Sequence, residues 1–251
     1  MNLLIKDNEV IDDLMVNNLK IIQKSSGFKF GIDAVLLAYF ASTSKAKKTI
    51  DLGTGTGIIP ILLSGKYGFE SVYGLEIQEE YTKMANRSLN LNDLNEKVKI
   101  FLGDIKKIDE LFIKNTFNLV ISNPPYKLKG SGIINDLNSK SIARHEIKCN
   151  FEDIVIAAKY LLKQNGEFIF IHRTDRLVDI LYAMRKYNIE PKYIRLVYST
   201  LKKEPKLVLI KGLNNGNRQL NFLKPLIIYE KDNSYTDEVK KIYFGQNQKI
   251  N

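Results

Sequence analysis

The chain has 251 residues, of which 44% are hydrophobic and 26% charged, so it is long and apolar enough for one sizeable core. Its longest apolar run, residues 34–41, is far shorter than the roughly 18 to 20 residues that span a bilayer, and no cleavable leader opens the sequence. One cysteine, Cys149, excludes an internal disulfide, and with two histidines it gives no zinc-site spacing. We therefore predict a cytoplasmic protein with neither a membrane span nor a metal.

The formal net charge of +10 comes from 38 basic and 28 acidic residues. Clustered lysine and arginine release counterions when they meet phosphate, so a basic chain favours a polyanionic partner. Most of the basic residues are lysines, and the chain is also rich in isoleucine and asparagine, a composition that an AT-rich genome produces by itself. The charge therefore indicates a nucleic acid without identifying one.

The apolar pattern alternates between short β-branched runs and longer helical stretches. Five strands are predicted first, at 47–53, 71–77, 98–104, 117–122 and 166–172. Helices are predicted at 58–67, 78–92, 151–163 and about 176–187. Two last strands, 193–199 and 206–212, flank a Lys-Lys-Glu-Pro turn and should form an antiparallel pair. The alternation predicts an α/β fold with a doubly wound, mostly parallel sheet of seven strands.

No internal repeat, low-complexity tract or flexible linker divides the sequence. One domain over residues 1–251 is therefore predicted. It comprises an N-terminal extension (1–46), the core sheet (47–212) and a polar tail (213–251) with one apolar patch, PLIIY.

The first chemical motif is DLGTGTG, from Asp51 to Gly57, between the first strand and its helix. Glycines at 53, 55 and 57 allow a tight turn in which the backbone approaches a ligand at a helix N-terminus. The spacing is G-x-G-x-G and differs from the dinucleotide fingerprint G-x-G-x-x-G, so it does not suit a pyrophosphate. A ligand other than a dinucleotide is expected at this turn.

Two acidic residues follow the next strands. Glu76 ends the second strand, where a carboxylate can accept both hydroxyls of a ribose. Asp104 ends the third strand, at the same edge of the sheet, within reach of an adenine amino group. A cofactor with an adenosine, no phosphates and a charged amino-acid end fits these parts.

Residues 28–212 resemble the class I methyltransferases, and this resemblance implies that the cofactor is S-adenosylmethionine. The resemblance implies that the glycine loop holds the methionine and ribose end, that the acid after the second strand holds the ribose, and that the acid after the third holds the adenine. The positions that match are Asp51, Gly53, Gly55, Gly57, Glu76 and Asp104.

The fourth strand runs into NPPY, which comprises Asn123, Pro124, Pro125 and Tyr126. In such a sheet this strand ends beside the methyl group of the cofactor. An amine conjugated to a ring is a poor nucleophile; an Asn oxygen and the carbonyl of the next proline can accept its two hydrogens and aim its lone pair, while the tyrosine stacks on the ring. NPPY is similar to the signature of methyltransferases that act on adenine N6, cytosine N4, guanine N2 and glutamine N5.

The flanking segments resemble bacterial adenine-N6 tRNA methyltransferases that modify adenine 37 of a valine tRNA. Residues 24–40, 141–177, 204–212 and 225–244 carry this likeness. The F-x-x-D-x-x-L-L pattern of that family implies that the N-terminal extension closes the methionine pocket through Phe30, Asp33, Leu36 and Leu37.

Residues 127–142, directly after NPPY, form a Gly, Ser and Lys loop suited to a substrate lid. Candidate RNA contacts there and just beyond are Lys127, Lys129, Arg144 and His145. Cys149 does not follow a proline and is interpreted as a small buried residue, and His172 as a packing residue.

The sequence therefore predicts an S-adenosylmethionine-dependent N6-adenine methyltransferase that acts on tRNA, without an obligate protein partner. Two alternatives stay open. One is an N-methyltransferase of ribosomal RNA or of a release-factor glutamine, and the other is a binding protein that keeps the cofactor fold without chemistry.

Overall fold

The structure is a computed structural model that describes residues 5–26, 30–124 and 149–245. The strands are β1 (Glu9–Asp13), β2 (Lys20–Lys24), β3 (Thr49–Leu52), β4 (Val72–Glu76), β5 (Val98–Leu102), β6 (Phe117–Ser122), β7 (Leu162–Arg173), β8 (Ile189–Tyr198), β9 (Leu207–Asn214), β10 (Asn221–Phe222) and β11 (Leu226–Ile227). The α-helices are α1 (Ile32–Ala41), α2 (Ile58–Ile61), α3 (Glu79–Leu91), α4 (Ile108–Leu111), α5 (Phe151–Leu161), α6 (Leu177–Lys186) and α7 (Asp237–Phe244).

Within the described residues, nine strands form the central sheet in the order β10-β8-β9-β7-β6-β3-β4-β5, with β11 also paired to β8. All neighbouring strands are parallel except β9, which is antiparallel to β7 and β8. The predicted α/β fold with an antiparallel C-terminal pair is confirmed. The seven predicted strands are present, and two short strands of the tail extend the sheet at β8.

Helices cover both faces of the sheet. One buried cluster joins α1, α2, α3 and α7 to one face, and a second joins α4, α5 and α6 to the other. Strand β3 is buried along its whole length, as expected where helices cover both faces of parallel strands. This two-sided burial explains why the central strands read as continuous apolar runs.

Some element boundaries differ from the prediction. The helix predicted at 58–67 is α2 followed by a π-helical turn, Leu62–Lys66. Strand β8 begins at Ile189, before the predicted start, and includes Pro191 at a shift in the pairing register with β9. Proline donates no ladder hydrogen bond, so a strand accommodates it at such an irregularity.

The N-terminal extension contains a hairpin that the sequence pattern did not reveal. Strands β1 and β2 pair antiparallel and lie against α3. The Arg87 guanidinium of α3 donates to both Glu9 carboxylate oxygens at 2.5 and 2.6 Å, and the Ile22 N–H donates to the buried Ser88 Oγ at 2.9 Å. The hydrogen bond from Arg87 holds the pKa of Glu9 below its ordinary value.

The C-terminal tail also packs on the core. Val239 and Ile242 of α7 are buried in the same cluster as α1. The buried Lys66 donates through Nζ to the carbonyl oxygens of Ile242 and Tyr243 at the end of α7. Among the described helices, none combines the length and apolar character needed to cross a bilayer.

Candidate active site

The glycine loop and the residues that follow β4, β5 and β6 lie at the carboxyl edge of the sheet. Strands β3, β4, β5 and β6 are parallel, and their last residues are Leu52, Glu76, Leu102 and Ser122. In register, Leu52 lies beside Ser122 and Glu76 beside Leu102. The glycine loop, both acidic strand ends and Asn123 therefore open on one side of the molecule.

The glycine loop turns tightly against β4. The amides of Gly53 and Thr54 both donate to the Leu75 carbonyl oxygen, at 2.9 and 3.0 Å. Gly55 has φ +57°, and a Cβ added there would have no atom within 4 Å. Gly57 has φ +86°, and a Cβ there would lie 3.1 Å from Ala85 Cβ of α3. The first part of the loop thus leaves open space for a ligand, whereas Gly57 lets α3 pack closely.

Asp51 is fully buried at the end of β3. Within the described part of the chain neither carboxylate oxygen has a hydrogen bond of full geometry, and the Thr54 side chain makes only a weak contact with it. Burial raises the pKa of Asp51 to about 7; the Thr54 side chain partly offsets this rise, and the nearby Glu76 charge adds to it. A buried acceptor without a donor is costly, so a donor from a bound ligand fits this position.

Glu76 is oriented by two backbone amides. Its Oε2 accepts from Gly55 N–H and its Oε1 from Gln78 N–H, both at 2.9 Å. A carboxylate has about four acceptor positions, so these two bonds leave capacity for the two hydroxyls of a ribose. The glycine loop and the β4 acid are thereby held as one rigid unit.

Two exposed apolar residues lie at the strand ends near the two acidic residues. Ile77 is 37% exposed directly after Glu76, and Leu102 is 48% exposed at the end of β5. Asp104 follows, with its Oδ1 accepting from Lys106 N–H at 2.9 Å. A flat apolar ring with a polar edge suits this surface. Sequence analysis missed Ile77; the available signal was an apolar residue placed directly after the strand-end acid.

The end of β6 is fixed to β3. The Ser122 hydroxyl, which is fully buried, donates to the Leu52 carbonyl oxygen at 2.9 Å. Asn123 is half-buried and Pro124 is buried. The remaining candidates lie outside the described residues: Pro125, Tyr126, Lys127, Lys129, Arg144 and His145.

The segment before α1 is positioned by a glutamine that sequence analysis did not single out. Gln23 accepts from Phe30 N–H at 2.9 Å and donates to Asp12 Oδ2 at 2.7 Å. Asp33 Oδ1 accepts from the adjacent Ala34 N–H. Leu36 and its neighbour Leu37 are fully buried, so both contribute to the core that supports this segment. A polar residue inside the apolar strand KIIQK was the available signal for Gln23.

His172 and Cys149 have structural environments. Burial lowers the pKa of His172 to about 4, its Nδ1 accepts from Arg173 N–H at 2.8 Å, and its ring packs against Phe151. Burial raises the pKa of the Cys149 thiol to about 12, which disfavours the nucleophilic thiolate. No group of three or more potential metal ligands occurs within the described ranges.

Comparisons with known proteins identify a family model and several relatives that match this chain. The sequence model of the methyltransferase small domain family matches residues 26–184. The chain is 27% identical over 228 residues to the tRNA1(Val) (adenine(37)-N6)-methyltransferase of Porphyromonas gingivalis (strain ATCC 33277), covering 88% of this chain and 89% of the relative. It is 24% identical over 213 residues to the enzyme of the same name from Aeromonas hydrophila, covering 83% and 86%.

Solved structures share the fold. A predicted O-methyltransferase from Agrobacterium tumefaciens superposes with a TM-score of 0.67 at 22% identity, covering 85% of this chain and 96% of that one. TrmN from Thermus thermophilus gives a TM-score of 0.53 at 17% identity, covering 72% and 48%. At these identities the likeness establishes the Rossmann-like architecture of the sheet and its helices.

Proposed function

Because this chain belongs to the methyltransferase small domain family, we propose that it is an S-adenosylmethionine-dependent tRNA methyltransferase that modifies N6 of adenine, with adenine 37 of a valine tRNA as the target. The observation that carries the proposal is the meeting of Asp51, the glycine loop, Glu76 and Asn123 at one edge of the sheet. The names of relatives that match nearly the whole chain support the choice of substrate.

The residues present fit the cofactor. The buried oxygens of Asp51, which lack a hydrogen bond of full geometry in the described chain, suit a ligand that carries hydrogen-bond donors, and the open space at Gly53 and Gly55 leaves room for it. Glu76 would accept from the ribose hydroxyls, while Ile77 and the segment around Asp104 would hold the adenine. When bound, the cofactor supplies an activated methyl group on its sulfonium sulfur.

Asn123 and Pro124 would orient the substrate amine. The Asn123 side-chain oxygen and the Pro124 carbonyl oxygen accept the two N6 hydrogens, so that the lone pair points at the methyl group. The Ser122 bond to Leu52 holds this strand end at a fixed distance from the glycine loop. The amine loses a proton only after it becomes cationic, so the chain needs no strong base at this position.

The remaining features of the proposal follow from composition and organisation. The enzyme works in the cytoplasm on tRNA, as one domain over residues 1–251, with Tyr126 stacking on the adenine. The candidate RNA contacts Lys127, Lys129, Arg144 and His145 stay predictions, as do the roles of Phe30 and Asp33 at the cofactor pocket.

The test is transfer of radiolabelled methyl from S-adenosylmethionine to unmodified total tRNA, with ribosomal RNA and release factor in parallel. Nucleoside analysis should recover the label as N6-methyladenosine from tRNA. Label in ribosomal RNA or in release-factor glutamine would support methyl transfer but show that tRNA is not the substrate. The absence of label from all three would contradict the proposal.

A further inference from the structure

A second basic segment lies at the same edge of the sheet as Asn123. Strand β8 is antiparallel to β9, β9 is antiparallel to β7, and β7 is parallel to β6. Two reversals restore the direction, so β8 and β6 end at the same edge. Residues 199–206, which connect β8 to β9 and are called here the lysine turn, therefore lie on the side where the substrate approaches.

The lysine turn has a fixed shape. Its Lys203 N–H donates to the Thr200 carbonyl oxygen at 3.1 Å. Thr174, in the loop after β7, donates through its N–H to the Lys206 carbonyl oxygen at 3.1 Å and through its hydroxyl to the Pro205 carbonyl oxygen at 2.6 Å. On the other side the Ser199 carbonyl oxygen accepts from Tyr229 N–H at 2.9 Å. Backbone bonds on both sides thus hold the turn beside the sheet edge.

The lysine turn carries positive charges that are exposed to solvent. Lys202, Lys203 and Lys206 are exposed, and none of them forms an ion pair with a described residue. Glu204 is the one acidic residue of 199–206, so the turn carries three positive charges and one negative, a net +2. The neighbouring arginines differ, since Arg173 at the end of β7 is paired with Asp175 and Arg176 is paired with Asp179.

We propose that the lysine turn binds backbone phosphates of the substrate RNA beside the target adenosine, an inference that rests on the proposed function. Neighbouring strands lie about 4.8 Å apart, so the turn, at β9 and β8, is roughly 10 to 15 Å from the end of β6. This distance suits nucleotides that flank a base held at Asn123. Lysine contacts to phosphate carry little sequence information, so the turn fixes the register of the RNA and leaves base choice to the site.

The test compares three triple variants with the parent enzyme. K202Q/K203Q/K206Q removes the charges of the lysine turn, and K202R/K203R/K206R keeps them. K45Q/K47Q/K163Q is the matched control: it removes three exposed lysine charges from the opposite edge, just before β3 and at the start of β7. Fluorescence anisotropy measures tRNA affinity between 50 and 200 mM salt, with methyl-transfer kinetics and calorimetric cofactor affinity alongside.

The glutamine variant of the turn should bind tRNA about tenfold more weakly and raise KM for tRNA to a similar extent, with kcat and cofactor affinity unchanged. Its slope of log affinity against log salt should be shallower by about 2, as expected for the loss of three single-strand phosphate contacts. The arginine variant and the opposite-edge control should both stay within about twofold of the parent.

Equal losses in the two glutamine variants would overturn the inference, because they would show an effect of net charge alone. An unchanged turn variant, with a parent enzyme that methylates tRNA, would remove the inference and leave the proposed function intact. A parent enzyme that places no methyl group in tRNA would remove both.

Discussion

At the scale of single residues, the Asp51 carboxylate lies at a position that suits ligand binding but lowers the stability of the free protein. This carboxylate is fully buried, and within the described residues only a weak contact with the Thr54 side chain offsets that burial. Such groups persist where a bound ligand satisfies them, and the free protein is less stable for that reason. Burial raises the pKa of Asp51 to about 7, which means that the folded protein favours the neutral carboxyl group.

Asp51→Asn should stabilise the free protein at high pH. The folded pKa of Asp51 is raised above its ordinary value, so its contribution to stability is lost as pH rises from about 4 to about 7. The difference in Tm between variant and parent should therefore increase by at least about 4 °C between pH 5 and pH 8.5. Calorimetric unfolding across this range measures it, with the exposed Asp7→Asn as a control that shows no such trend.

The same Asp51→Asn variant should bind S-adenosylmethionine at least about tenfold more weakly, because a charged acceptor is replaced by a neutral amide. Titration calorimetry at pH 7.5 measures this change. Unaltered cofactor affinity in a stabilised variant would show that Asp51 has no part in binding.

Asn123→Ala should lower kcat by at least about two orders of magnitude, because the substrate amine loses an acceptor that orients its lone pair. Cofactor affinity should stay close to that of the parent. Single-turnover methyl transfer to tRNA measures the chemical step. Methyl transfer by the alanine variant at the parent rate would refute the proposed role of Asn123.

At the scale of elements, the glycine loop and α3 depend on each other. Gly57→Ala should destabilise the protein by about 1–3 kcal/mol, since the residue has φ +86° and its new Cβ would lie 3.1 Å from Ala85 Cβ. Gly55→Ala is the matched comparison, with φ +57° and no atom near its Cβ. Gly55→Ala should weaken cofactor binding more than it lowers the free energy of unfolding. Urea unfolding measures the stability of each variant, and titration calorimetry measures its cofactor affinity. Equal changes in both quantities for the two variants would contradict the separate roles of Gly55 and Gly57.

The tail helix α7 depends on a residue far away in the chain. Lys66→Met should destabilise the packing of α7 by about 1–3 kcal/mol, because the carbonyl oxygens of Ile242 and Tyr243 lose their donor. Hydrogen exchange of the α7 amides should accelerate relative to the parent. Lys241→Met, at an exposed position of α7, is the control. Equal exchange rates of the α7 amides in both variants would show that Lys66 does not stabilise the packing of α7.

At the scale of the whole molecule, the net charge of +10 should make tRNA binding strongly dependent on salt. Affinity should fall steeply between 50 and 200 mM salt as counterions return to the RNA. S-adenosylmethionine carries no phosphate, so its affinity should change little over the same range and serves as the internal control. Anisotropy titrations measure the slope, and a flat response for tRNA would remove the phosphate-contact argument.

The sequence by itself determined where along the chain the core strands lie. It also determined that the glycine loop, Glu76, Asp104 and Asn123 stand at or just after the ends of those strands. Those features are local, because strand and helix periodicity and turn chemistry depend on residues close together in the chain. Parallel pairing then brings the strand ends to one edge, which is why the position of these residues in the fold could be predicted without coordinates.

The tertiary structure decided the features that depend on distant residues. The Glu9–Arg87 pair joins positions 78 residues apart, and Lys66 reaches Ile242 across 176 residues. Neither pairing leaves a periodic pattern, so the β1–β2 hairpin and the packing of α7 were not foreseen. Which elements pack together also determines the close contact of Gly57 with α3, the full burial of Asp51 and the position of the lysine turn. Burial and long-range contacts are properties of the folded chain, so no local sequence pattern reveals them.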